Sequence, residues 1–135
     1  MSITIINPPA SEPVSLAEAK LFLRVDHDAE DDLITTLIAA AREAVEAGCG
    51  RALITRRVRE SLDIWRREAM NGAVLGLGPV SAVIAVRLIA DSGAQSVLDP
   101  ERYRLEGQRD RPRLVFPPGL PATLRSAGGI EIEYD

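Results

Sequence analysis

Apolar positions in this chain recur with a helical period up to about residue 50 and with a period of two after Arg51. Residues 2–6, SITII, are rich in β-formers and predict a short strand. Pro8, Pro9 and Pro13 then hold an extended arm, because proline fixes φ and disfavours helix at the residue before it. Ser15-Leu-Ala-Glu18 has the spacing of a capping box and opens a helix expected over about 15–24. Lys20 and Arg24 share one side of it, and its other positions are mostly apolar, so it is expected to be well buried. A second helix is expected over about 29–47. Its stripe of Leu33, Ile34, Leu37, Ile38, Ala41, Ala44, Val45 and Gly48 follows the i, i+3, i+4, i+7 rule and should pack on the β-rich part or the first helix. Arg42, Glu43 and Glu46 lie off that stripe. Alanines 39–41, 44 and 47 permit close approach by the first helix or a neighbouring subunit, and Gly48 and Gly50 end the helix.

In the second half, Ile54, Val58, Leu62 and Ile64 share one face of a strand over 54–64, interrupted by Arg56 and Glu60. Residues 73–77 and 80–90 predict two more strands, broken at Gly78-Pro79. The stretch VSAVIAVRLIA is apolar on nearly both faces and is expected to be the central strand. Asp91-Ser92-Gly93 is a turn signal, and short strands follow near 95–98, 102–106 and 113–116. Pro117, Pro118, Gly119 and Pro121 predict a loop. The last stretch alternates, with Ile130, Ile132 and Tyr134 inward and Glu131, Glu133 and Asp135 outward. The expected fold class is α+β: an N-terminal helical hairpin followed by a small antiparallel β module. The expected organisation is an extended arm over 1–14 and a single domain over 15–135, with helices at about 15–48 and a β-rich region at 53–135.

Composition narrows the function classes. A length of 135 residues, 46% hydrophobic and 27% charged, suits one globular domain with a core of its own. Only 4% of residues are aromatic, too few for a single-strand nucleic-acid stacking platform. Sixteen basic residues against twenty acidic ones give a net charge of −4, which argues against a free-standing DNA-binding domain. One cysteine, Cys49, excludes an internal disulfide and a cysteine-based zinc site, and one histidine, His27, excludes a multi-histidine metal centre. No apolar run is long enough to span a bilayer, and the first residues lack the basic start of a signal peptide, so the expectation is a soluble intracellular chain. Fifteen of the sixteen basic residues are arginine, consistent with codon bias and, more weakly, with a choice of bidentate donors.

Candidate chemistry is sparse. Asp26-His-Asp-Ala-Glu-Asp-Asp32 resembles the start of a calcium loop, but such a loop needs glycine and glutamate where Asp31 and Leu37 stand. Acidic residues at a helix N-terminus, with Asp28 as the N-cap, explain the run better. His27 has no nucleophile nearby in sequence and is expected to be an exposed loop residue. Gly48-Cys49-Gly50 follows a helix rather than preceding one, the wrong polarity for a phosphate loop. Cys49 is expected to be a small buried or semi-buried residue. Arg56, Arg57, Arg59, Arg66 and Arg67 form a basic cluster, open to two readings: contact with phosphate or an acidic partner, or a solvated strand face balanced by Glu60, Asp63 and Glu68. Arg102, Arg104, Arg109, Arg111 and Arg113 are interleaved with acids and read as surface. No catalytic triad, phosphate loop or carboxylate pair stands out.

Pro13-Val-Ser-Leu-Ala-Glu-Ala-Lys20, Leu23-Arg-Val-Asp26, Asp31-Asp-Leu-Ile34, Ala40-Ala-Arg42, Val45-Glu46 and Gly50-Arg51-Ala-Leu-Ile54 together resemble the start of the head-to-tail connector (adaptor) family of tailed phages, with relatives in prophages and gene transfer agents. Gly78-Pro-Val80 with Val83 and Val86, then Asp91-Ser-Gly93, Leu98-Asp99 and Tyr103, extend the resemblance more loosely over the β half. It implies a structural protein of the virion neck, made in the bacterial cytoplasm, with no enzymatic activity, cofactor, metal or membrane contact. It implies a ring, typically twelvefold, that joins the portal protein to the stopper or tail while double-stranded DNA passes through the middle. Members usually continue past the last strand into further helices, whereas this sequence stops at Glu133-Tyr-Asp135. Arg56, Arg57 and Arg59, facing Glu131 and Glu133 of a neighbour, are the expected subunit or partner interface. The alternatives are another neck protein (a stopper or tail-completion protein), a metal-dependent hydrolase using Asp26, Asp28 and Asp32, and a regulatory binding module.

Overall fold

A computed structural model describes residues 2–63, 72–107, 112–116 and 123–135. The chain forms two compact units, one of Met1–Pro8 with Arg56–Asp135 and one of Pro9–Thr55.

The first unit is all β among the described residues, apart from a 3-10 turn at Pro100–Arg102. Its strands are β1 (Ser2–Ile5), β2 (Val58–Leu62), β3 (Ala73–Val74), β4 (Val83–Ile89), β5 (Gln95–Val97), β6 (Arg104–Glu106), β7 (Arg113–Val115) and β8 (Ile130–Tyr134). A five-stranded sheet has the order β1-β2-β8-β4-β5 and a three-stranded sheet the order β3-β7-β6; every pairing is antiparallel. Alternation places Val58, Leu62, Val86, Leu88, Ile130, Ile132 and Tyr134 on one face of the larger sheet, and they share a core with Ala73, Leu75, Leu114 and Phe116. The antiparallel β module is therefore as expected, as are the inward Ile130, Ile132 and Tyr134.

The central strand is β8, not β4. β4 is interior, flanked by β8 and β5, and bulges between Val83 and Ala85. An apolar run marks a strand suited to the sheet interior but does not set its rank in the strand order, and in β4 Ile84 stays exposed. Of the stripe expected over 54–64, Val58 and Leu62 are buried, Ile54 precedes the strand, and Ile64 lies outside the described residues. The expected loop at 117–121 also lies outside them.

The second unit is a helical hairpin, α1 (Leu16–Leu23) and α2 (Asp31–Cys49). The capping box forms as the sequence implies: the Glu18 N–H donates to Ser15 Oγ at 3.2 Å, and the Ser15 N–H donates to Glu18 Oε2 at 2.8 Å. Arg24 closes α1 in a left-handed conformation, and Gly50 closes α2 at φ 65°, where a side chain would be strained.

Three expectations for this unit need correction. α1 contains no buried residue. Asp28 is not the N-cap of α2: Glu30 holds that position without a side-chain hydrogen bond, and the Asp28 carboxylate is engaged by Lys20. The stripe on α2 is split: Ile34 is buried and Ile38 half-buried as expected, but Leu33, Leu37 and Val45 are exposed, and the off-stripe Arg42 and Glu46 are buried in their place, a reversal of their expected positions. An i, i+4 ion pair explains this last reversal. Arg42 Nη1 donates to Glu46 Oε2 at 2.8 Å and Arg42 Nε to Glu12 Oε2 at 2.7 Å, and Glu46 Oε1 accepts the Leu53 N–H at 2.8 Å. With the donors and acceptors satisfied, the charged side of the helix can lie inside.

Candidate interface site

Of the expected interface residues, Arg59, Glu131 and Glu133 sit on the outward face of the five-stranded sheet, and Arg56 and Arg57 immediately precede β2. β2 and β8 run antiparallel with Arg59 opposite Glu133 and Ser61 opposite Glu131. Period-two alternation puts these residues on the face away from Val58 and Ile132. Arg57 grips Asp135 with both arms of its fork, at 2.9 Å from Nε and 2.8 Å from Nη2. Glu133 accepts from Arg87 at 2.8 Å and from Arg59 at 3.3 Å. These bonds set the electrostatics. Arg87, then Arg59, hold the Glu133 carboxyl below its ordinary range, and Arg57 does the same for Asp135. Glu133 points outward as expected, yet it is buried, because the two guanidinium groups cover it.

The structure thus gathers Arg57, Arg59 and Glu133 into one charged row within a single chain. Glu131 lies in the same sheet face, opposite Ser61 and Arg87, and Arg56 is half-buried just before β2. Arg66 and Arg67 lie outside the described residues, as do Arg109 and Arg111. Arg104 pairs with Glu106 at 2.7 Å on the surface.

The acidic run converges on a cation supplied by the protein. Lys20 Nζ lies 2.6 Å from Asp28 and 2.7 Å from Asp31, and these bonds raise its pKa while Lys20 lowers that of Asp28. Among the described residues no group of three or more His, Cys, Asp or Glu is placed to hold a metal ion. His27 is exposed. Cys49, expected buried or half-buried, is exposed at the last position of α2, because that end of the helix turns it outward. Among the described residues no helix is long and apolar enough to cross a membrane.

Two features escaped the sequence reading. The first is the buried Arg42–Glu46–Glu12 network, whose only signal is the i, i+4 spacing of Arg42 and Glu46. The second is Glu60, fully buried in the core face of β2. Its Oε2 accepts from the Tyr134 hydroxyl at 3.0 Å and from the Gly76 N–H at 2.9 Å. Burial pushes the Glu60 carboxyl up, against these two bonds, and burial next to that carboxyl pushes the Tyr134 phenol well above its usual range. The signal was present as a glutamate interrupting an otherwise apolar stripe.

The helical unit presents the opposite kind of surface. Leu21 and Phe22 on α1 are 81% and 88% exposed, and Leu33 and Leu37 on α2 are 57% and 55% exposed.

Comparison with known proteins gives a consistent set of likenesses. The family described as phage gp6-like head-tail connector protein matches residues 13–90. A chain in the virion of a native gene transfer agent particle superposes with a TM-score of 0.78 at 27% identity, over 99% of this chain and 70% of that one. A chain in the neck of an empty gene transfer agent particle, computed with C6 symmetry, gives 0.74 at 29% identity over 99% and 70%. Another in the neck of a native particle, computed with C12 symmetry, gives 0.65 at 28% over 99% and 68%. No curated protein matches the sequence.

Proposed function

Since this chain belongs to the phage gp6-like head-tail connector family, we propose that its copies form a twelve-membered ring joining the portal of a phage-like particle to its stopper or tail. The protein is a structural head-tail connector, a component of the particle neck. The observation that carries this reading is the family match over residues 13–90, joined to a structural likeness that spans 99% of the chain. The ring order takes its support from the C6 and C12 symmetry of the necks in which the similar chains sit.

In this reading residues 15–135 work as one connector module, and the protein scaffolds rather than catalyses. Packaged double-stranded DNA passes through the ring, and a net charge of −4 suits a channel that must not grip phosphates. Arg56, Arg57, Arg59, Glu131 and Glu133 form a rim of the interface with a neighbour or partner. Arg57, Arg59 and Glu133 already bond within the chain, so a neighbour meets residual charge rather than free ions. Such a rim contributes register more than affinity.

Deleting the gene tests the proposal. The expected particles package DNA and lack tails, and imaging of wild-type particles finds copies of this chain in a closed ring between portal and tail. Normally tailed, infectious or transducing particles from the deletion strain overturn it. A ring found beyond the connector layer, at the stopper or tail-completion position, would reassign the protein within the neck.

A further inference from the structure

The helical unit leaves uncovered the residues that a core would take. On α1, Leu21 and Phe22 protrude into solvent. On α2, Leu33, Leu37, Ala40 and Ala44 follow the i, i+4, i+7, i+11 spacing and are all exposed, so they form one row along the outward side of the helix. The row is bulky at its start and shallow where the alanines lie. Charge has been moved to the inner side, where Arg42, Glu46 and Glu12 satisfy one another. Large apolar side chains left in solvent beside a satisfied charged interior mark a surface built to be covered.

A closed ring of identical copies requires a heterologous contact, in which one patch of each copy meets a different patch of the next. This unit exposes two unlike apolar sets on different helices, the bulky Leu21 and Phe22 on α1 and the leucine–alanine row on α2, as a head-to-tail contact between copies requires. The charged sheet face is a poorer source of affinity, because Arg57, Arg59 and Arg87 are engaged by Asp135 and Glu133 of their own chain. We propose, resting on the ring reading above, that Leu21 and Phe22 of one copy seat against the Leu33, Leu37, Ala40 and Ala44 row of a second copy. The leucines supply apolar area, and the alanines let the neighbouring helix approach closely. The occupant of each face is another copy of this chain.

Cysteine cross-linking in assembled particles tests the contact. In a Cys49→Ser background, Phe22→Cys together with Ala44→Cys should give, on mild oxidation, a ladder of covalent multiples of the monomer. Either cysteine alone should give none. A dimer as the sole product of Phe22→Cys alone, a cross-link to a different neck protein, or no cross-link in particles that contain the ring would each overturn the proposal. A second measurement uses Phe22→Asp and Leu37→Asp. Both positions are exposed, so the variants should fold with unchanged circular dichroism and thermal midpoint. Their incorporation into particles should fall roughly tenfold or more. Full incorporation would overturn the contact. Failure of the ring reading itself shows differently, as absence of the unsubstituted chain between head and tail before any variant is compared.

Discussion

The β unit and the helical unit use apolar residues in opposite ways. In the β unit, alternation drives Val58, Val86, Ile130, Ile132 and Tyr134 into a shared core, and the arginines and carboxylates of the same strands bond to one another on the outer face. In the helical unit the longest helix turns Arg42 and Glu46 inward and leaves Leu33, Leu37 and Val45 outside. The first pattern is that of a module that builds a core of its own from its strand faces, although Ile3, Ile5, Val74, Ile84 and Val97 stay exposed. The second is that of a module whose hydrophobic surface remains available for association. The contrast teaches that periodicity identifies which residues share a face, whereas the direction of that face depends on what else is satisfied inside.

Four measurements sharpen or break this contrast. Ile132→Ala, in the closed core of the β unit, should cost about 2–5 kcal/mol of stability in denaturant unfolding. A loss under about half a kcal/mol would show that the β core tolerates a cavity there and would erase the distinction. Arg42→Ala should cost about 2–3 kcal/mol, below the range for a fully buried pair because Glu12 remains partly exposed, and the loss should appear in the helical signal. An unchanged helical unit would mean that the buried ion network contributes little net stability.

The third measurement is a pH profile, which separates the two faces of the larger sheet. Burial raises the Glu60 pKa, so the folded state binds more protons than the unfolded one between the ordinary glutamate value and the raised one. Its contribution is full below the ordinary value and drains as pH rises. Glu133 and Asp135 are lowered, so their stabilisation is present above the ordinary carboxylate range and drains as pH falls through their folded values. Glu60→Gln keeps an acceptor for Gly76 and Tyr134 while removing the first limb. It should gain thermal midpoint over the wild type at about pH 8 and lose that gain at about pH 4. A difference independent of pH would contradict the assignment. The smallest effect belongs to Leu37→Ala. It should cost less than about half a kcal/mol in the isolated chain, because the side chain is already in water. A core-sized loss would place Leu37 in the fold of the monomer.

Much of the fold was legible because local rules decide it. Ser15 and Glu18 satisfy each other three residues apart, Gly50 takes the left-handed cap, and Ile130, Ile132 and Tyr134 alternate with acids on a strand covered on one side. What failed was long-range. The exposure of Leu21 and Phe22 cannot be read from an apolar helix, since the same residues serve a core or an interface equally well. The rank of β4 failed for a similar reason, as pairing order depends on partners dozens of residues away. In the candidate site, alternation correctly set Arg57 and Arg59 on one face. It gave no sign that Glu133 and Asp135 of the same chain would reach them first.

The position of β8 in the middle of the larger sheet has a consequence for synthesis. The strand that both β2 and β4 need is the last of the described strands to leave the ribosome. At ordinary elongation speeds the stretch between Leu62 and Ile130 takes on the order of 3–15 s. During that interval β2 can pair only with β1, and β4 only with β5, each a two-stranded ribbon of marginal stability in water. The nascent chain therefore holds two incomplete half-sheets with open edges until its closing strand arrives, which makes this stage the point at which a chaperone or a neighbouring nascent copy has most access to it.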